Sequence, residues 1–131
     1  MGDRANVVVV QSDGGRIWLY THWAGVKLAA DLARALKRGR ERWDDPSYLA
    51  RIIFCEMLPK ENWSELAGIG IANEQQDNNH PNLVVDVSKT RVTCEDVDGC
   101  YAKYPEDRPC VGNAWSFEDF IAKFENDKKG V

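Results

Sequence analysis

The chain has 131 residues and a formal net charge of −4, with 44% hydrophobic and 29% charged residues. That length and balance describe one domain over residues 1–131 with a substantial core, and they exclude a disordered chain. The acidic balance argues against a nucleic-acid binder, and no run approaches the roughly 18 apolar residues of a membrane span.

Val7 to Val10 is too short an apolar run for a signal peptide, so a cytoplasmic location is expected. In that compartment Cys55, Cys94, Cys100 and Cys110 are expected as free thiols.

In chain order, Val7-Val-Val-Val-Gln11, the turn Ser12-Asp-Gly-Gly15 and the segment 16–23 predict a β-hairpin. Side chains on a strand alternate between faces. Ile17, Leu19, Thr21 and Trp23 are therefore expected toward the core, with Trp18, Tyr20 and His22 on the other face. From Val26 the period becomes helical, with Leu28, Ala29, Leu32, Ala33 and Leu36 on one side and Lys27, Asp31, Arg34 and Arg38 on the other. Lys27–Asp31 and Asp31–Arg34 stand at pairing distance, and Gly39 is the expected stop.

Asp45 and Pro46 mark the start of a second helix, carried by 48–58 and ended by Pro59. Its residues are apolar nearly all round, which predicts a helix lying deep against the sheet. Arg51 is the exception, and a buried guanidinium needs a partner. A structural ion pair with Asp86 is expected, Asp44 and Asp45 being the other candidates.

Segments 66–72, 82–87 and 90–94 read as strands, the last two paired across Ser88-Lys89, with 101–104 as a short edge strand. The stretch 73–81 reads as a polar loop. Ser116, with Asp119 three residues on, starts a last helix whose stripe is Phe117, Phe120, Ile121 and Phe124. The expected fold class is α+β: a mostly antiparallel sheet of about five to six strands packed by two to three helices.

No catalytic motif is present. Gly68-x-Gly70 lacks the third glycine of a dinucleotide loop, and Asp96-Val-Asp98-Gly99 is not followed by calcium ligands. Cys94, Cys100, Cys110 and His80 contain no Cys-x-x-Cys knuckle, so neither a metal nor a cofactor is expected.

The chemistry-bearing residues are instead an off-core aromatic row, Trp18, Tyr20 and His22, together with Arg40, Arg42 and Trp43. Flat aromatics beside arginines suit a planar anionic ligand such as a nucleotide. The same set suits a protein interface, where Trp, Tyr and Arg dominate hot spots. Two other readings are a small nucleotide hydrolase or phosphodiesterase with His22 as general base, and a homo-oligomerisation module that buries the aromatic row.

The segments Gly2-Asp-Arg-Ala-Asn6, Leu19-Tyr-Thr-His-Trp-Ala-Gly25, Arg42-Trp-Asp-Asp45, Tyr48-Leu-Ala-Arg-Ile-Ile-Phe54 and Leu83-Val-Val-Asp86 resemble a family of small bacterial and bacteriophage proteins. The resemblance runs from residue 2 to about 87 and brings no activity with it, so no catalytic residue is carried over. It implies a bacterial host cell and a phage-encoded, counter-defence binding protein that engages a host protein or sequesters a small molecule.

Overall fold

The computed structural model describes residues 3–58, 68–77, 80–95 and 112–125. Six strands form one mixed sheet: β1 (Ala5–Val10), β2 (Arg16–Thr21), β3 (Ile69–Ala72), β4 (Asn82–Asp86), β5 (Arg91–Glu95) and β6 (Ala114–Ser116). Their spatial order is β3-β2-β1-β4-β5-β6. Every neighbouring pair is antiparallel except β1 with β4, which run parallel. Three α-helices follow the expected caps: α1 (Leu28–Arg38), α2 (Pro46–Met57) and α3 (Phe117–Phe124). The fold is α+β, as expected.

All three helices cover one face of the sheet. Val7 and Val9 of β1, Leu19 of β2, Leu83 and Val85 of β4, and Val92 of β5 meet Leu32, Leu36, Leu49, Ile53 and the Phe117–Phe120–Phe124 stripe there. β1 lies near the middle of the sheet and is buried along almost its whole length, which is why a continuous valine run suits it. α1 is the central helix, in contact with both α2 and α3. It buries Ala30, Asp31 and Ala35 besides its expected stripe, so alanine predominates where helices crowd from two sides.

α2 corrects an expectation. It is an outer helix, with Leu49, Ala50, Ile53 and Met57 inward and Tyr48, Arg51 and Cys55 exposed. A 3.6-residue period puts Arg51 on the outer face despite its apolar neighbours. The Arg51–Asp86 pair is therefore not formed: Arg51 stands against Tyr48 and Cys55, while Asp86 ends β4 and accepts a hydrogen bond from Ser88 Oγ at 2.7 Å. The caps do match the sequence. The Tyr48 N–H donates to Asp45 Oδ1 (3.1 Å), and the Asp119 N–H donates to Ser116 Oγ (3.0 Å).

The other face of the sheet carries a small apolar strip, Val8, Trp18 and Val84, flanked by Val10 and Ala72. Arg16 on β2 reaches Glu95 on β5 at 3.1 Å, although β1 and β4 lie between those strands, so this ion pair spans the face. At the opposite end the loop 73–77 is pinned by a buried asparagine. Asn6 Nδ2 donates to the Gln76 carbonyl (3.0 Å), and the Gln76 N–H donates back to Asn6 Oδ1 (3.2 Å). The edge strand expected at 101–104 lies outside the described residues; the sixth strand seen is β6, directly before α3.

The N-terminal residues and the His22–Gly25 turn form a clasp. The Asp3 N–H donates to the His22 carbonyl (2.6 Å), and the Gly25 N–H donates to the Asp3 carbonyl (2.9 Å). Asp3 Oδ2 accepts from the Val26 N–H (2.7 Å), and Asp3 Oδ1 meets His80 Nε2 at 2.5 Å. Gly25 is buried beneath the His80 ring, where a Cβ would come within 2.7 Å of Cδ2 and 2.8 Å of the Asp3 carbonyl. Gly25→Ala is accordingly expected to destabilise the chain by about 1–3 kcal/mol through forced displacement of this clasp. Chemical denaturation measures this, and an unchanged midpoint would show that the clasp does not hold the turn.

Candidate functional site

The expected aromatic row divides when placed in the fold. Trp18 is only 8% exposed and packs against Val8 and Val84, so it forms the floor of the second face rather than a free platform. Tyr20 lies over Gly70 of the neighbouring strand, where a Cβ would collide with its ring. This is an aromatic side chain covering an edge glycine. The half-buried His22 meets Tyr20 edge-on, with ring centroids 5.7 Å apart. Trp23, expected in the core, is 58% exposed. β2 ends at Thr21, whose Oγ1 accepts from the Trp23 and Ala24 N–H groups and turns the chain out of strand alternation.

Among the described residues no titratable side chain is hydrogen-bonded to the His22 ring. A general base needs such an orienting or proton-accepting partner, so His22 gains no support for that role.

Arg40, Arg42 and Trp43 sit elsewhere, on the helix side of the sheet, in the turn between α1 and α2. Trp43 is structural as well as lateral. Its Nε1 donates to the Leu36 carbonyl (2.9 Å), and its ring meets Phe117 edge-on at 5.0 Å. The two arginines line a cleft of about 490 Å³ with Lys37, Arg38, Tyr48 and Arg51. Glu41 is the only acidic residue among its described lining residues.

The local sequence explains the convergence. The last turn of α1 supplies Lys37 and Arg38, a single 3₁₀ turn (Arg40–Arg42) carries the chain around, and the first turns of α2 present Tyr48 and Arg51 on its outward side. Three of the cations are held by carboxylates of other helices or their ends: Lys37 by Glu125 (2.8 Å), Arg38 by Glu56 (2.5 Å), and Arg40 by Glu118 (2.6 Å). The hydrogen bond between Arg40 and Glu118 raises the pKa of the guanidinium and lowers that of the carboxyl.

Arg42 and Arg51 differ from these three. Neither has a carboxylate partner among the described residues. Their guanidinium carbons stand 4.4 Å and 4.6 Å from the centroid of the Tyr48 ring, so one exposed tyrosine holds two cations by cation–π contact. The hydrogen bond with Tyr48 also raises the Arg51 pKa. Two guanidinium forks held on one aromatic ring, with donors to spare, are equipped to grip an oxyanion.

Behind the cleft lies a charged cluster that the sequence only half disclosed. Asp31 and Glu56 are both buried, and Arg34 bridges them, pairing closely with Asp31 and lying 3.5 Å from Glu56. The Asp31–Arg34 pair was legible from its three-residue spacing, whereas Glu56 reaches the cluster from α2. Burial pushes the Asp31 carboxyl from 3.8 up to about 6, against the opposing pull of Arg34 and Lys27.

Cys94 is buried on β5, and Cys55 is an exposed thiol on α2. Cys100 and Cys110 lie outside the described residues. No helix among the described residues is long and apolar enough to cross a membrane. Comparison with family models, curated proteins and solved structures yields no match to this chain.

Proposed function

We propose that this chain is a binding protein for a small phosphate-bearing anion, held in the cleft between α1 and α2. The observation that carries the reading is the pair Arg42 and Arg51 on Tyr48, two arginines without carboxylate partners among the described residues. In a protein of net charge −4, five cations converge on this cleft, three of them answered by Glu125, Glu56 and Glu118, while Arg42 and Arg51 carry no such carboxylate among the described residues. Cations left without a carboxylate draw in anions.

Tyr48 supplies preorganisation. Guanidinium groups already placed lose less side-chain freedom when the ligand arrives. Lys37, Arg38 and Arg40 contribute less, because each already has a carboxylate on it, from Glu125, Glu56 and Glu118 respectively.

Titration calorimetry with inorganic pyrophosphate in excess chelator tests the reading. One saturable site is expected, with affinity falling as salt rises because the interaction is ionic. Absence of binding at low salt would end the proposal.

A further inference from the structure

A second cleft, of about 690 Å³, opens at the carboxyl ends of the parallel strands β1 and β4. From there β1 turns to β2 on one side and β4 turns to β5 on the other. Hairpins that diverge from the ends of two adjacent parallel strands leave a crevice between them. Its walls are apolar, from Val10, Trp43, Pro46 and Val87, and no lysine or arginine is among its described lining residues.

The ionisable groups among the described lining residues of this crevice are two carboxylates, Asp44 and Asp86, beside the side chains of Gln11, Ser12, Ser88 and Thr90. Asp44 makes no ion pair or hydrogen bond among the described residues. Asp86 accepts only the Ser88 hydroxyl, with Arg91 opposite it in the ladder but outside ion-pair distance. The α2 N-terminus, which borders the crevice, offers little to an anion: Pro46 has no N–H, and the Tyr48 N–H is taken by Asp45. The two carboxylates disfavour a phosphate here, whereas hydroxyl groups can donate to them, and O–H···O⁻ bonds are among the stronger hydrogen bonds.

The crevice and the cationic cleft adjoin. Arg42 lines the cleft, and the next two residues, Trp43 and Asp44, line the crevice. Arg40 of the cleft stands 5.9 Å from the centroid of the Trp43 ring. Resting on the anion-binding reading above, we infer that the two form one bipartite site for a ribonucleoside phosphate. The phosphates lie on Arg42 and Arg51, and the ribose hydroxyls donate to Asp44 and Asp86 beside Trp43.

Calorimetry of the full chain with three probes, each in excess chelator, tests this: inorganic pyrophosphate, adenosine 5′-diphosphate and its 2′,3′-dideoxy analogue. The dinucleotide-type contact of a carboxylate with a ribose hydroxyl predicts that the ribose diphosphate binds at least about tenfold tighter than the dideoxy form. Asp44→Asn and Asp86→Asn should each narrow that gap and leave pyrophosphate binding in place. Equal affinity for the ribose and dideoxy forms, with pyrophosphate still bound, would overturn the bipartite site while leaving the anion reading intact. A gap that both variants leave unchanged would also overturn it, because the hydroxyls would then be read elsewhere. Failure of all three probes to bind would overturn both. Equal affinities for the two nucleotides on the parent chain overturn the bipartite site even where a variant folds poorly.

Discussion

Alanine at both Arg42 and Arg51 is expected to weaken pyrophosphate binding by about a hundredfold and to leave thermal stability nearly unchanged. Each guanidinium would give the anion charge-assisted hydrogen bonds, and a hydrogen bond to a charged group is worth about 1.5–3 kcal/mol. Two such losses, allowing for non-additivity between neighbours, come to about 3 kcal/mol, or two orders of magnitude in affinity. Stability is spared because both side chains are exposed and stand on Tyr48 rather than in the core. Lysine at both positions should recover only part of the binding, since an ammonium keeps the charge but lacks the planar fork. If the double alanine variant bound pyrophosphate as the parent does, the anion would have to sit elsewhere, and the cleft would be an ordinary solvated basic surface.

The second large effect is on stability against pH, through Asp31. Its carboxyl titrates at about 6 in the folded chain, raised by burial from 3.8. The folded state thus binds this proton more tightly than the unfolded state. Stability from this group is fully present below the unfolded value of 3.8 and is lost as pH rises through 6. The full span corresponds to about 3 kcal/mol, each pKa unit being about 1.4 kcal/mol. Asp31→Asn should lack this loss, so the variant gains on the parent by up to about 3 kcal/mol between pH 4 and pH 7.5. Denaturant titrations of both proteins across that range measure the difference. A constant difference between them would mean that Arg34 and Lys27 keep Asp31 charged throughout, and that burial does not dominate.

Local chemistry in this chain was readable because each signal and its partner lie close together. The Val7–Val10 run, the Ser12–Gly15 turn and the alternation through Leu19 produced the expected β1–β2 hairpin, in which Val10 stands opposite Arg16. Asp45 with Pro46, and Ser116 with Asp119, capped α2 and α3 as their spacing demanded. The alternation failed at Thr21, where a side-chain hydroxyl bonds to the main chain and ends the strand, which is why Trp23 is exposed instead of buried.

Long-range partners were not readable. Asp3 with His80, Asn6 with Gln76, and Arg16 with Glu95 are each joined by a sheet order that no local pattern specifies. The candidate site illustrates both cases. Arg40 and Arg42 were visible as cations beside Trp43, and Arg40 does stand over that ring, but Arg42 shares its aromatic, Tyr48, with Arg51 on α2 rather than with the row on β2. Helical spacing could have found it: Tyr48 and Arg51 lie three apart on one helix face, an (i, i+3) pair. The apolar character of the residues between them obscured that face.

The most direct test of the central claim is a titration of isotopically labelled chain with pyrophosphate, followed by amide and arginine Nε chemical shifts. The cleft between α1 and α2 predicts that the largest changes fall within residues 37–52, with the Arg42 and Arg51 Nε signals moving most. Largest changes on the opposite face of the sheet, around Arg16 and Trp18, or no changes at saturating ligand, would contradict it.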